Sequence, residues 1–160
     1  MRTPHPAAPL DGSARRRDRL SRHTSPAVQP KTPTSRGFEV AVTPERVHVA
    51  RIRRITVAHL RLWALSDALA EDVRLVVSEL VTNAVEHGKG TVSLRVRHTP
   101  SLLRIEVTDE SPAPAQLQSA DGEDLSGRGL FLVAAVSSDW GVSRDGRTIW
   151  ADFRIPAGRP

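Results

Sequence analysis

The chain of 160 residues has no cysteine. Disulfides, thiolate nucleophiles and thiolate metal sites are therefore excluded. Long apolar runs are also missing: no stretch approaches the roughly 20 residues a membrane helix requires, and no internal repeat is visible. Histidine is present at 5, 23, 48, 59, 87 and 98, but no two lie three to five residues apart, which argues against a His-rich zinc site. What remains is ordinary for a globular protein, with 39% hydrophobic and 26% charged residues in a length that suits one domain with a sizeable core.

The charge is unevenly placed. Residues 1–37 carry eight basic and two acidic side chains, a net +6, and are rich in Pro, Ser, Thr and Ala without apolar periodicity. They are expected to form a disordered basic tail. Arg15-Arg16-Arg17 is followed by no apolar segment, so it is not a secretion signal. The remaining residues carry 15 basic and 16 acidic side chains, a net −1. The excess positive charge therefore belongs to the tail, and nucleic-acid binding is not expected as the main activity.

From Phe38 the texture changes. Phe38–Val42 alternates and predicts a strand. Thr43-Pro44-Glu45 reads as a helix start, with Thr43 as cap and Pro44 at the first helical position. Val49, Ile52, Ile55, Ala58 and Leu62 form the expected apolar stripe of that helix, with Arg51, Arg53, Arg54 and Arg61 on its other faces as a solvated surface or a basic patch. A second helix is expected from near Leu69 to His87, ending at Gly88 in a left-handed position, with Val73, Val76, Val77, Leu80 and Ala84 buried. Strands follow at 91–98 and 102–109, joined by a short turn. Residues 110–127 form a long irregular loop, Leu130–Val136 a helix, and 139–143 and 148–155 two strands around an Asp145-Gly146 turn. Strand, two helices, two strands, helix, two strands predicts an α/β protein of the α+β two-layer kind, a mixed sheet with helices layered on one face.

Several positions carry chemistry. Glu79 and Asn83 are four apart and lie one above the other beside the apolar stripe. Such a pair suits a hydrated Mg²⁺ and the orienting of a water or hydroxyl, or else is a polar stripe facing solvent. Asp109 ends a strand, where it can accept from an exocyclic amine or begin a turn with Ser111. Gly127 and Gly129 precede a helix N-terminus, which favours phosphate but also suits a hinge. His87, in the last turn of its helix, has a favourable dipole interaction as its alternative. Thr148 is at home in any strand.

Together these residues resemble a known family. Glu79-Leu80-Val81-Thr82-Asn83-Ala84-Val85-Glu86-His87 is similar to the N box of the ATPase superfamily uniting DNA gyrase, the ninety-kilodalton chaperone, MutL and sensor histidine kinases. Val107-Thr108-Asp109 resembles its G1 box, Gly127-Arg128-Gly129-Leu130 its G2 box, and Gly146-Arg147-Thr148 the Gly-x-Thr that closes the adenine pocket. Asp139-Trp140-Gly141-Val142 and Thr148-Ile149-Trp150 look like the actinobacterial regulators related to anti-sigma-factor serine kinases.

The resemblance covers about 38–155, leaving 156–160 as a C-terminal tail. It implies a Bergerat-type sandwich that binds ATP with Mg²⁺ in the cytoplasm. By position, Glu79 would be the catalytic base, Asn83 the Mg²⁺ ligand and His87 a neighbour of the phosphates. Asp109 would take the adenine amino group with help from Thr148, while Gly127, Arg128, Gly129 and Leu130 would bind phosphate. The implied activity is sequestration of a sigma factor and phosphorylation of its anti-anti-sigma antagonist. A non-catalytic ATP-dependent switch is the alternative, and a homodimer is a further expectation. One departure stands out, because Asp109 is followed by Glu110-Ser111-Pro112-Ala113-Pro114 where the family usually has glycines.

Overall fold

The computed structural model describes residues 34–111 and 125–157. The expected tail up to residue 33, most of the irregular loop and the last three residues lie outside that range. Eight elements follow in the expected order: β1 Arg36–Val42, α1 Arg46–Leu62, α2 Asp67–His87, β2 Val92–His98, β3 Leu102–Thr108, α3 Leu125–Val136, β4 Asp139–Val142 and β5 Thr148–Arg154. The first strand begins at Arg36, two residues earlier than the alternation at Phe38 indicated.

The five strands form one sheet in the order β1-β2-β3-β5-β4. All four pairings are antiparallel, so the sheet is not mixed as expected. The reason lies in the connections. The α1 and α2 pair returns the chain to the end at which β1 stopped, so Val42 faces Val92 and β2 runs back along β1. Similarly, α3 and β4 return it to the end of β3, where Thr108 faces Thr148. A parallel neighbour would need a single crossover helix in place of these two-element returns.

The helices cover one face. Val73, Val76, Val77, Leu80, Val81 and Ala84 of α2 meet alternate residues of the sheet, among them Leu94, Val96, Leu103, Ile105 and Phe153. Each of these side chains except Ala84 contributes about 1.5–3 kcal/mol by leaving water. The stripe of α1 is shifted from the expected one: Val49, Ile52, Thr56 and Leu60 are buried, whereas Leu62 is 76% exposed. Thr56 is tolerated inside because its hydroxyl donates to the Ile52 carbonyl at 2.9 Å, satisfying itself within the helix.

Helix ends also differ from expectation. Pro44 stays outside α1: Glu45 is the cap residue, and the Thr43 hydroxyl donates to the Glu45 carboxylate instead of capping the backbone. The α2 helix starts at Asp67, two residues early, because Ser66 Oγ accepts the Leu69 N–H at 3.4 Å. Gly88 is extended, with φ −76° and ψ −177°. The left-handed turn falls at Gly90, φ +65°, because the chain first runs straight enough for the Lys89 carbonyl to accept the Glu110 N–H at 2.8 Å.

The other face of the sheet is polar and paired with itself. Arg95 bonds Glu39, Arg97 bonds Glu106, and Arg104 grips Asp152 with two bonds of 2.6 and 2.7 Å. The Arg104 guanidinium also lies 4.5 Å from the Trp150 ring centre. A side chain at Gly141 would strike that indole, so the ring needs the bare backbone there.

Candidate functional site

The second half of α2 carries the first two candidate groups. Glu79 and Asn83 are half-buried at the border of the stripe that enters the core. Their stacking follows from the helical period, and their partial burial from the sheet on one side and α3 on the other. Among the described residues neither side chain has a hydrogen-bond partner. A Cβ added at Gly129 would lie 2.7 Å from Glu79 Oε2, which places the carboxylate against the bare backbone of α3.

Asp109 arrives from the sheet. It follows β3 directly, and its N–H donates to the Arg147 carbonyl at 3.1 Å, continuing the ladder by one rung. Its carboxylate lies at the C-terminal end of α2: a Cβ at Gly88 would meet Cγ and Oδ2 at 2.9 Å. Oδ1 accepts the Ser111 N–H at 2.6 Å, closing a local turn. Gly88 therefore lets the strand end approach the helix end closely, and among the described residues Oδ2 accepts no hydrogen bond. The neighbouring Glu110 accepts the Thr91 N–H at 3.3 Å and pins the β2 entrance to this corner.

The glycines sit differently from expectation. The α3 helix begins at Leu125, so Gly127, Arg128, Gly129 and Leu130 lie inside it and not before it. Gly129 and Leu130 are buried against the core side, and Arg128 is exposed. The helix was expected at Leu130 because two glycines are poor helix formers; packing of α3 on α2 overrides that preference.

Thr148 is separated from Asp109 by the sheet. Its Cα partner is Thr108, and the two hydroxyls are 2.7 Å apart. Val107 and Ile105 point into the core, so Thr108, and with it Thr148, points to the opposite, polar face. Asp109, one residue on, shares the helix-covered side. His87 is exposed in the last turn of α2. The structure thus brings Glu79, Asn83, Asp109 and Gly129 around the α2–α3 side of the sheet, and leaves Thr148 on the other side.

Three groups at this corner escape a reading of the sequence: Gly88 as the seat of the Asp109 carboxylate, Glu110 as its brace, and Thr108 as the partner of Thr148. All depend on contacts between elements. Only the period-2 parity of Thr108 and Asp109 on one strand carried a hint of the last.

Residues 40–153 match a protein family described as the histidine kinase-like ATPase domain. No curated protein matches the chain.

Proposed function

The chain belongs to the histidine kinase-like ATPase domain family, and on that premise we propose that it is an ATP-dependent protein serine/threonine kinase of the anti-sigma type, which holds a sigma factor and phosphorylates its anti-anti-sigma antagonist. Family membership implies ATP binding. The observation that carries the kinase reading is the half-buried Glu79 carboxylate beside Gly129, with no protein hydrogen bond among the described residues to occupy it. A protein that only binds nucleotide has no need of a base there.

In this reading Asp109 Oδ2 accepts from the adenine amino group. Asn83 would offer its carboxamide oxygen to Mg²⁺. The Asn83 carboxamide, half-buried and without a hydrogen-bond partner among the described residues, fits an oxygen ligand to such an ion. Mg²⁺, when bound, neutralises charge on the phosphate oxygens. Glu79 removes the proton of the acceptor Ser or Thr hydroxyl. That oxygen bonds to the γ-phosphorus as the bond to the β-phosphate oxygen breaks, and ADP leaves.

The test is Glu79→Gln. Binding of ATP and of the sigma factor survives, while transfer of radiolabelled phosphate to the antagonist falls about 10²–10⁴-fold. Transfer at the wild-type rate would remove Glu79 from the mechanism. The second reading is a switch in which ATP sets a binding surface without chemistry; the tight Asp109–Ser111 turn just ahead of Pro112 favours it by stiffening the adenine end. It stands if the wild type transfers no phosphate yet ATP alters sigma-factor affinity.

A further inference from the structure

We propose that Arg147 is a nucleotide-binding residue, whose guanidinium donates to an adenine ring nitrogen beside the amino group that Asp109 accepts. The inference rests on the adenine role of Asp109 and extends it to the neighbouring atom of the base. Register brings the two residues face to face. Thr108 stands opposite Thr148 in the β3–β5 pairing, so the next pair outward is Asp109 with Arg147. The Asp109 N–H donates to the Arg147 carbonyl at 3.1 Å, which carries the ladder to this pair. Opposite residues of an antiparallel pair share a face of the sheet, with Cβ atoms about 4.5–5.5 Å apart. Parity fixes which face. Thr148 points to the polar side with Thr108, and Ile149 packs against the core. Arg147, two residues before Ile149, therefore rises on the helix-covered side with Asp109. Of Gly146-Arg147-Thr148, it is the middle residue that reaches the candidate site.

Elsewhere on this sheet an arginine facing a carboxylate joins it. Arg95 stands across from Glu39 and bonds it; Arg104 stands across from Asp152 and bonds it twice. Asp109 and Arg147 form no such bond among the described residues. The Asp109 carboxylate is turned the other way, with Oδ1 on the Ser111 N–H and Oδ2 against Gly88. The Arg147 side chain does not hold its own turn either. Ser143 and Asp145 do that, and Asp145 accepts the backbone N–H of Arg147 at 3.1 Å. The guanidinium is thus exposed and has no side-chain partner among the described residues. A carboxylate and a five-donor fork lie side by side at the end of the ladder.

That pattern complements one base edge. Adenine presents its 6-amino group as a donor, with an acceptor ring nitrogen on either side, N1 or N7. The carboxylate accepts from the amino group, and the ring nitrogen next to it then needs a donor. A charged N–H to a ring nitrogen is stronger than a neutral one, and a bond left unmade in a closed pocket is costly. Guanine carries a carbonyl at position 6, which a guanidinium also accepts as a partner. Arg147 therefore adds affinity for a purine, while the choice of adenine over guanine stays with Asp109.

The experiment is calorimetric titration of the full chain with ATP, ADP, 1-deaza-ATP and 7-deaza-ATP, with Mg²⁺ present throughout. Arg147→Ala should weaken ATP and ADP alike by about tenfold, the scale of a hydrogen bond from a charged group. Wild type should bind one of the two deaza analogues about tenfold more weakly than ATP, and that analogue should lose nothing further on Arg147→Ala. Arg147→Met keeps the length of the side chain without its donors and should match the alanine variant. The proposal is overturned if both changes leave ATP affinity within about twofold of wild type, or if wild type binds both deaza analogues as tightly as ATP. It is overturned equally if Arg147→Ala weakens ATP but spares ADP, since the contact is then to the γ-phosphate. Asp109→Asn on the same preparation separates the two readings. If it weakens ATP while Arg147→Ala does not, this inference fails and the adenine role of Asp109 stands. If wild type binds no ATP, or binds ATP and GTP equally, both fall.

Discussion

Gly129→Ala puts the arrangement at α2–α3 to the sharpest test. A methyl at this position would lie 2.7 Å from Glu79 Oε2 and 3.7 Å from its Cβ and Cδ. Carbon and oxygen in ordinary contact sit about 3.5 Å apart or more, so the carboxylate must retreat by roughly 0.8 Å. Glu79 can do this by rotating its outer torsions, at about 0.5–1.5 kcal/mol if it leaves its rotamer. Against this, alanine inside α3 is favoured over glycine by roughly 0.5–1 kcal/mol. The two effects nearly offset, and the melting temperature should move by less than about 5 °C. Chemistry should not be so tolerant: displacing a catalytic group by about 1 Å costs on the order of 10²-fold in rate. Single-turnover transfer of radiolabelled phosphate, with differential scanning fluorimetry on the same sample, reads both quantities. Transfer within threefold of wild type would show that Glu79 does not act from the position it holds against Gly129. A large fall in melting temperature would show instead that the glycine is needed for packing.

The other expectations are independent of that contact. Asp109→Asn should weaken ATP binding by about 1.5–3 kcal/mol, the scale of a hydrogen bond to a charged group, and wild type should discriminate against GTP, whose base presents a carbonyl where adenine presents an amine; equal calorimetric affinities for both nucleotides would refute the adenine role. His98 is stacked on Trp63 at 5.2 Å with its Nδ1 buried and unpartnered. Burial first, and the Arg36 charge second, hold its pKa below the usual histidine value. The unfolded chain therefore takes up the proton first, and stability present above about pH 6.5 is lost as pH falls toward the folded-state pKa; His98→Phe should flatten the melting-temperature profile between pH 7.5 and 5.5, and an unchanged profile would clear His98 of the effect. Gly90→Ala, at φ +65° and facing the Glu110 carboxylate, should cost about 1–2 kcal/mol in chemical denaturation, and a neutral result would mean that this corner relaxes freely.

How much of this was readable beforehand depends on whether a feature is local. The α2 stripe was, since five of its six buried positions, all but Val81, follow from the helical period. The phase of α1 was not. Thr56 reads as polar and Leu62 as apolar, yet the hydroxyl of Thr56 is satisfied within its own turn and Leu62 stands on the outer face. Strand order and direction needed the two-element returns, which a list of elements does not contain. The start of α3 shows the same limit: glycine preference said Leu130, and contact with α2 extended it to Leu125.

The site divides along the same line. Glu79 and Asn83 share one helix, so their adjacency is a matter of counting. Asp109 and Thr148 come from different strands, and which face each occupies follows from register alone. The pairing Thr108 with Thr148 makes that assignment unambiguous: two hydroxyls 2.7 Å apart must point the same way, and Asp109 is one residue out of phase with them. A slip of one residue in the β3–β5 register would bring Thr148 to the α2 side, alongside Asp109. The side chain nearest in chain to the Gly146 turn that shares the Asp109 side is consequently that of Arg147, whose carbonyl already accepts the Asp109 N–H. Any influence of Thr148 on the nucleotide must therefore pass through the backbone of β3 and β5, not through its hydroxyl, and Thr148→Val should leave ATP affinity nearly unchanged while removing the Thr108 partner on the far face.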